Sequence, residues 1–245
     1  MRLLIAIPVF NERKYVKGVL DRVSRYCDNI LVVDDASTDG TGDLLARRRD
    51  IQLIRHETNR GYGRSIIDAF RYADAAGFDW VITMDCDEQH EPESIPDFMR
   101  EIETDRWDLI SGSRYLQAGP NDDSPPGDRR AINSTITGIL NDLFDLNITD
   151  AFCGFKAHRT SAIRRLCLTE NGYAFPMQLW PRVAIAGLRL TEIPVRLIYN
   201  DPTRHFGGVL DDAGYRLRHY LIVLRRELDR RFEPLPEAAV CTCSE

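Results

Sequence analysis

Lysine is nearly missing from this chain. Of its 32 basic residues only Lys14, Lys17 and Lys156 are lysines, so fixed positive charge falls to arginine, whose planar guanidinium can bind an anion through two donors at once. A positive excess is missing as well. The net charge of −6 and a pI near 5.5 leave no dominant field for a phosphate backbone, which argues against nucleic acid as a partner. No C-x-x-C pair occurs among Cys27, Cys86, Cys153, Cys167, Cys241 and Cys243, so neither a zinc site nor a disulfide framework is expected, and a reducing cytosol fits. No stretch reaches the ~18 apolar residues of a membrane span, and the apolar run behind Met1 is too short for a signal peptide. No glycine-rich turn follows the first apolar run, which speaks against a dinucleotide fold and a nucleotidyltransferase. Internal repeats and low-complexity linkers are absent before residue 232.

What is there organises around residues 81–92. Val81 to Met84 read as a buried strand, and Asp85, Asp87 and Gln89 fall just past its carboxyl end, where open α/β sheets bind ligands. Two carboxylates and an amide at alternate positions form an all-oxygen set suited to Mg²⁺ or Mn²⁺, and through the metal to a diphosphate. An acidic turn with solvated charges is the plain alternative.

Around that stretch the chain alternates strand and helix. Leu3 to Ile7 is a strand closed by Pro8, Asn11 and Glu12 open a helix with Val16, Val19, Leu20 and Val23 inward, and Ile30 to Val33 is a second strand running into Asp34-Asp35. Asp39 is the better placed helix cap there, which leaves Asp34 and Asp35 for another task. A third strand spans 51–55, and Arg60-Gly61-Tyr62-Gly63-Arg64 opens the next helix, either as a plain helix start or as a loop lining a diphosphate. The predicted fold class is α/β: a mostly parallel central sheet flanked by helices, with a Rossmann-like nucleotide-binding N-terminal half. One domain over 1–231 is expected, with an N-terminal half (1–115), a second half (116–208), a basic amphipathic helix (209–231) and a flexible tail (232–245).

Ile7-Pro8-Val9-Phe10-Asn11-Glu12, Val33-Asp34-Asp35-Ala36-Ser37-Thr38-Asp39-Gly40-Thr41, Asn59-Arg60-Gly61-Tyr62-Gly63 and Met84-Asp85-Cys86-Asp87-Glu88-Gln89-His90 together resemble the family 2 glycosyltransferases of GT-A fold. Within them the chain is most similar to the polyprenol-phosphate branch typified by dolichyl-phosphate mannosyltransferase, over roughly residues 3 to 207. The resemblance implies that Pro8, Phe10, Glu12, Val33 and Asp35 surround the nucleoside of a GDP- or UDP-linked sugar. It sets Asp85, Asp87 and Gln89 around the metal and diphosphate, and counts Asp85, Cys86, Asp87 and Arg114 among the contacts of the nucleotide sugar. It also implies a nucleotide-sugar role for the first half (1–115) and an acceptor role for the second (116–208). Phe10 stands where the branch usually has Tyr. Gly112-Ser113-Arg114-Tyr115 matches a phosphate-binding signature of that branch, and an acceptor-binding arginine is implied at the start of the following helix, assigned to Arg130.

Asp150, ahead of the Gly154-Phe155 pair, is the carboxylate to consider as a base or a sugar contact. Gln178 stands where the branch has Glu. The usual phosphate-gripping lysine near residue 205 is missing, with Arg204 or His205 as substitutes. The implied reaction is metal-dependent inverting transfer of a sugar to a polyprenyl phosphate, using Asp85, Asp87, Arg114 and Arg130, by an enzyme peripheral to the cytoplasmic face of a membrane. Two alternatives are transfer to a hydroxyl, with Asp150 as base, and a non-catalytic nucleotide-sugar binding module. The arginine-rich helix from Tyr215 can lie on an anionic surface or pack with a solvated face.

Overall fold

The computed structural model describes residues 1–117, 119, 122–199 and 206–230. Seven strands form one sheet in the order β3-β2-β1-β4-β6-β5-β7, comprising β1 (Leu3–Val9), β2 (Ile30–Asp34), β3 (Gln52–Arg55), β4 (Trp80–Thr83), β5 (Leu109–Ser113), β6 (Lys156–Arg159) and β7 (Leu190–Pro194). All pairings are parallel except those of β6, which runs antiparallel between β4 and β5. The sequence did not announce β6: Lys156, His158 and Arg159 hide a strand whose neighbours bury it.

Side chains of β1 alternate between the two faces of the sheet. Leu4 and Ala6 join one core under α3 (Tyr62–Ala75), α5 (Gly127–Phe144), α7 (Phe175–Ile185) and α8 (Ala213–Asp229). Leu3, Ile5, Ile7 and Val9 join the other, under α1 (Val16–Val23), α2 (Thr41–Ala46) and α4 (Ile95–Glu103). The short α6 (Thr160–Ile163) follows β6 directly. Chain order turns back at β1, with β2 and β3 laid to one side and β4 to the other, so the crevice at the carboxyl ends of β1 and β4 is the switch point of the sheet.

Two element boundaries differ from those predicted. α1 begins at Val16 rather than at Asn11, because Asn11 takes a left-handed φ of 58° and its side chain accepts from Thr38 N–H at 2.8 Å. β1 runs through Pro8 to Val9 rather than closing at Pro8, because Pro8 still stands opposite Val33 and Val9 opposite Asp34 of β2. The last strand, β7, stops at Pro194. Its partner β5 ends at Ser113, and beyond it Leu197 and Tyr199 donate their N–H groups to Asp122 and Asp123 instead. The helix cap at α2 is Gly40, with φ 91°, while Asp39 accepts from Thr41 N–H at 2.9 Å from one residue further out. Arg204, His205 and the tail with Cys241 and Cys243 lie outside the described residues. Among the described residues no helix is long and apolar enough to cross a membrane.

Candidate active site

A cavity of about 580 Å³ opens at the switch point. At one end it is lined by Pro8 near the end of β1 and Phe10 after it, Glu12, Asp35 after β2, and Asp85, Cys86, Asp87 and Gln89 after β4. Strand ends deliver these residues together: β1 and β2 stop opposite each other at Val9 and Asp34, and β4, parallel to β1 and paired with it as far as Thr83, ends on the same edge of the sheet. Val33 does not line it; its side chain lies in the core, since β2 turns that face toward α3.

Asp35 holds the loop that closes this end. It accepts from the N–H groups of Arg60 and Gly61, each at 2.8 Å, and meets His56 Nδ1 at 2.6 Å, while His56 Nε2 meets Asp68 on α3 at 3.1 Å. The glycine pair serves backbone packing. A Cβ on Gly61 or Gly63 would strike the carbonyl oxygens of Asn171 or Glu170, and Gly61 has φ 98°. Arg64 is tied to Asp68 at 2.8 Å.

The 85–90 turn is set by a buried histidine. His90 Nδ1 accepts from Asp85 N–H at 2.9 Å, which requires the neutral ring, and burial pushes the ring's pKa down to about 4. Glu88 takes a left-handed φ of 60°, and Gln89 N–H donates to Asp87 Oδ1 at 3.0 Å. These carboxylates fit a divalent cation on two grounds. A Cβ at Gly154 would come within 2.6 Å of Asp85 Oδ2, so the chain keeps space against that carboxylate. The Gln89 amide nitrogen is buried with no hydrogen-bond partner among the described residues, an unmet donor that a phosphate oxygen bound beside the cation would satisfy. Among the described residues no three His, Cys, Asp or Glu side chains converge as a ready-made cage. A cation here would lean on ligand oxygens, as Mg²⁺ commonly does with phosphates.

Arg114, just past β5, enters the cavity with its guanidinium fixed from behind. Nε and Nη2 donate to Asp150 Oδ2 and Oδ1 at 2.6 and 2.9 Å, and Asn133 adds a bond to Oδ1 at 2.7 Å. Asp150 is fully buried and does not line the cavity. Burial alone would raise its pKa, but the Arg114 charge and hydrogen bonds hold it well below the usual carboxylate range.

The other end of the cavity is aromatic and basic, and sequence reasoning missed most of it. Tyr173, Phe206, Tyr220, Phe152 and Tyr199 line it with Arg129, Lys156 and Arg216. Arg129, not Arg130, faces inward; Arg130 is exposed and stacks on Tyr115 with 3.8 Å between Cζ and the ring centroid. Lys156 is buried, donates to the Cys153 carbonyl oxygen, and has its pKa lowered by that burial. Its scarcity as a lysine was the one available signal. Tyr62 links the two ends, hydrogen-bonding Asp85 and stacking on Tyr173 at 5.9 Å.

Gln178 lies outside the cavity. Its Oε1 accepts from Thr169 and Glu170 N–H at 2.6 and 2.8 Å, and its Nε2 donates to buried Glu227 of α8 at 2.8 Å, so it fastens α7 to α8. An amide suits this place because it can both accept and donate.

Residues 4–167 match the family described as glycosyl transferase family 2. The chain is 29% identical over 238 residues to an undecaprenyl-phosphate mannosyltransferase of Micrococcus luteus, covering 93% of this chain and 97% of that one. It is equally 29% identical over 241 residues to a polyprenol monophosphomannose synthase of Mycolicibacterium smegmatis, covering 94% and 89%. Among solved structures, glucosyl-3-phosphoglycerate synthase of Mycobacterium tuberculosis superposes with TM-score 0.70 at 15% identity, covering 97% of this chain and 82% of that one. The same enzyme with Mn²⁺, UDP-glucose and phosphoglyceric acid gives TM-score 0.66 at 17% identity, covering 97% and 81%. With more than half its length matched by the family, the chain belongs to glycosyl transferase family 2 and is a glycosyltransferase of GT-A fold.

Proposed function

We propose that this enzyme transfers a sugar from a nucleoside diphosphate sugar to a polyprenyl phosphate with inversion. The observation that carries the choice of acceptor is the bidentate Arg114–Asp150 pair. A hydroxyl acceptor must lose a proton in or near the transition state, and Asp150 was the carboxylate considered for that task. Its oxygens are occupied by Arg114 and Asn133, it is buried, and its depressed pKa makes it a poor base. A phosphate monoester is already ionised at neutral pH and needs no base. The two mannosyltransferase relatives, whose names specify such lipid phosphates, support the same reading.

In this scheme Pro8, Phe10, Glu12 and Asp35 seat the nucleoside, while Asp85, Asp87 and Gln89 would hold Mg²⁺ or Mn²⁺. A divalent ion bound there would neutralise charge developing on the leaving diphosphate. An acceptor phosphate oxygen forms a bond to the anomeric carbon as the bond to the diphosphate breaks, and the diphosphate leaves with the electron pair. Arg114 orients the anionic acceptor, and the role assigned to Arg130 passes to Arg129, which lines the cavity. The exposed side of α8 carries Tyr215, Arg218, Leu221, Ile222 and Arg225, a stripe of one helix face that suits contact with an anionic lipid surface.

The test is turnover of a polyprenyl phosphate against the corresponding polyprenol, with the same donor and metal. Use of the phosphate alone is expected. Equal use of the polyprenol, or none of the phosphate, would leave only the family assignment standing.

A further inference from the structure

Arg216 sits on the inner side of α8, 3% exposed, at the aromatic end of the cavity. A buried cation must be paired, and its Nη2 donates to Asp128 Oδ2 at 2.6 Å while Nη1 donates to the Leu210 carbonyl oxygen at 2.7 Å. Asp128 lies in the first turn of α5, with its side chain 47% exposed. Arg216 therefore bridges α8 to the helix that also carries Arg129.

Both guanidinium groups converge on one ring. Phe206 has Arg216 Cζ 4.7 Å and Arg129 Cζ 4.9 Å from its centroid, and Tyr173 packs edge-on at 5.4 Å. Cation–ring attraction holds each arginine, but two like charges near a single ring repel, and an anion that reaches both would relieve that, as Asp128 does in part. Tyr220, packed on Phe152 at 5.0 Å, adds a hydroxyl whose pKa burial pushes up to about 12, so it stays a neutral donor. Two cations and a neutral donor set among aromatic rings suit an anionic head on an apolar chain.

We propose that Arg216, together with Arg129, grips the phosphate head of the acceptor lipid, and that Asp128 is a stand-in anion which the phosphate replaces on Arg216. The assignment rests on the polyprenyl phosphate reading. It supplies from α8 the cation that the missing lysine would otherwise provide. Exchange is feasible because Asp128 is half in solvent and regains hydration when released, whereas the buried guanidinium keeps a charged partner throughout.

The experiment measures binding of farnesyl phosphate, inorganic phosphate and farnesol to the full chain, in wild type, Arg216→Gln and Asp128→Asn. Wild type is expected to bind farnesyl phosphate at least about tenfold more tightly than either control, since the phosphate adds charge-assisted hydrogen bonds and the chain adds apolar burial. Arg216→Gln should lose about tenfold for farnesyl phosphate with nucleotide binding unchanged. Asp128→Asn removes the competitor and should tighten binding severalfold. Unchanged farnesyl phosphate binding by folded Arg216→Gln overturns the proposal. Should Arg216→Gln fail to fold, Asp128→Asn decides alone: tightening supports the proposal, while unchanged or weaker binding overturns it. Inorganic phosphate binding as well as farnesyl phosphate overturns the lipid assignment. Sugar transfer to farnesyl phosphate that ignores Arg216 sinks this proposal and leaves the acceptor reading intact. Arginine-dependent binding without transfer does the reverse.

Discussion

The two ends of the cavity are built by different means. The end proposed for the donor is made of strand termini: Phe10 and Asp35 directly follow β1 and β2, Asp85 lies two residues past β4, and the hydrogen-bonded register of the sheet fixes their spacing. The end proposed for the acceptor is made of helix faces and loops, with Arg129 from α5, Tyr173 ahead of α7, and Arg216 and Tyr220 from α8. A sheet holds its ends to one geometry, whereas helices meet through side-chain packing that differs from chain to chain. Under the proposed function, donor chemistry would therefore sit on the first end and discrimination between acceptors on the second.

The sharpest way to break this comparison is at Asp87. Replacement by Asn keeps the volume and removes one anionic oxygen from the proposed metal and diphosphate region, so turnover should fall by about 10²-fold or more with little change in stability. Steady-state rates at saturating Mn²⁺, set beside thermal melts, check it. Full activity of this variant in metal-free buffer would show that the donor end does not work through a cation.

Next in size is Gly154→Ala. The added Cβ would lie within 2.6 Å of Asp85 Oδ2 and 2.8 Å of the Tyr62 hydroxyl, so Asp85 must turn or β6 must shift. Overpacking of this kind costs about 1–3 kcal/mol, and apparent metal affinity should weaken along with it. Metal titration by calorimetry reads the second effect apart from the first. Unaltered affinity would mean that Asp85 has slack which the close packing does not suggest.

Legibility in the sequence followed the same division. Asp85, Asp87 and Gln89 are neighbours in sequence and in space, so a linear pattern sufficed to find them. Arg114 and Asp150 were both noticed, but not that one immobilises the other, since 36 residues and the turn after β5 separate them. Arg129 was passed over for Arg130 because adjacent residues of a helix point about 100° apart, and a helix start uncertain by one position reverses which of them faces inward. Arg216 looked like one more solvated arginine on a basic helix, yet α8 rolls it inward and leaves Leu221 and Ile222 outside. β6 was invisible because its polar residues gain partners only from the assembled fold: Lys156 reaches a backbone carbonyl, and Arg159 reaches the Trp107 carbonyl oxygen at 2.8 Å.

Gln178→Glu tests whether the acceptor end depends on how its helices are fastened. A glutamate keeps the acceptor for Thr169 and Glu170 N–H but loses the donor to Glu227, setting two carboxylates face to face in a buried place. Loss of about 1–3 kcal/mol is expected, read as a lower melting temperature. Donor-sugar selectivity should not change, because the side chain lies outside the cavity. A switch of donor sugar with intact stability would place position 178 at the donor after all.

The smallest effect concerns His158 on β6, the strand that lies between β4 and β5. The residue is 1% exposed, its Nδ1 has no hydrogen-bond partner among the described residues, and its ring packs edge-on against Phe70 at 4.8 Å. Burial, and then the Lys156 charge, push its pKa from 6.5 down to about 3. The unfolded chain therefore takes up a proton near pH 6.5 that the folded chain refuses, and stability falls as pH drops below about 6.5, down to the folded value. One such histidine contributes a slope approaching about 1.4 kcal/mol per pH unit at most. His90, with its pKa depressed to about 4, acts in the same direction, so the wild-type slope is the sum of at least these two. Urea unfolding of wild type and His158→Asn at pH 6.5 and 5.5 isolates the first contribution: the variant should lose about 1 kcal/mol less between the two pH values, whatever its absolute stability. Equal slopes would mean that the ring is hydrated in the folded state and that the wall around β6 admits water.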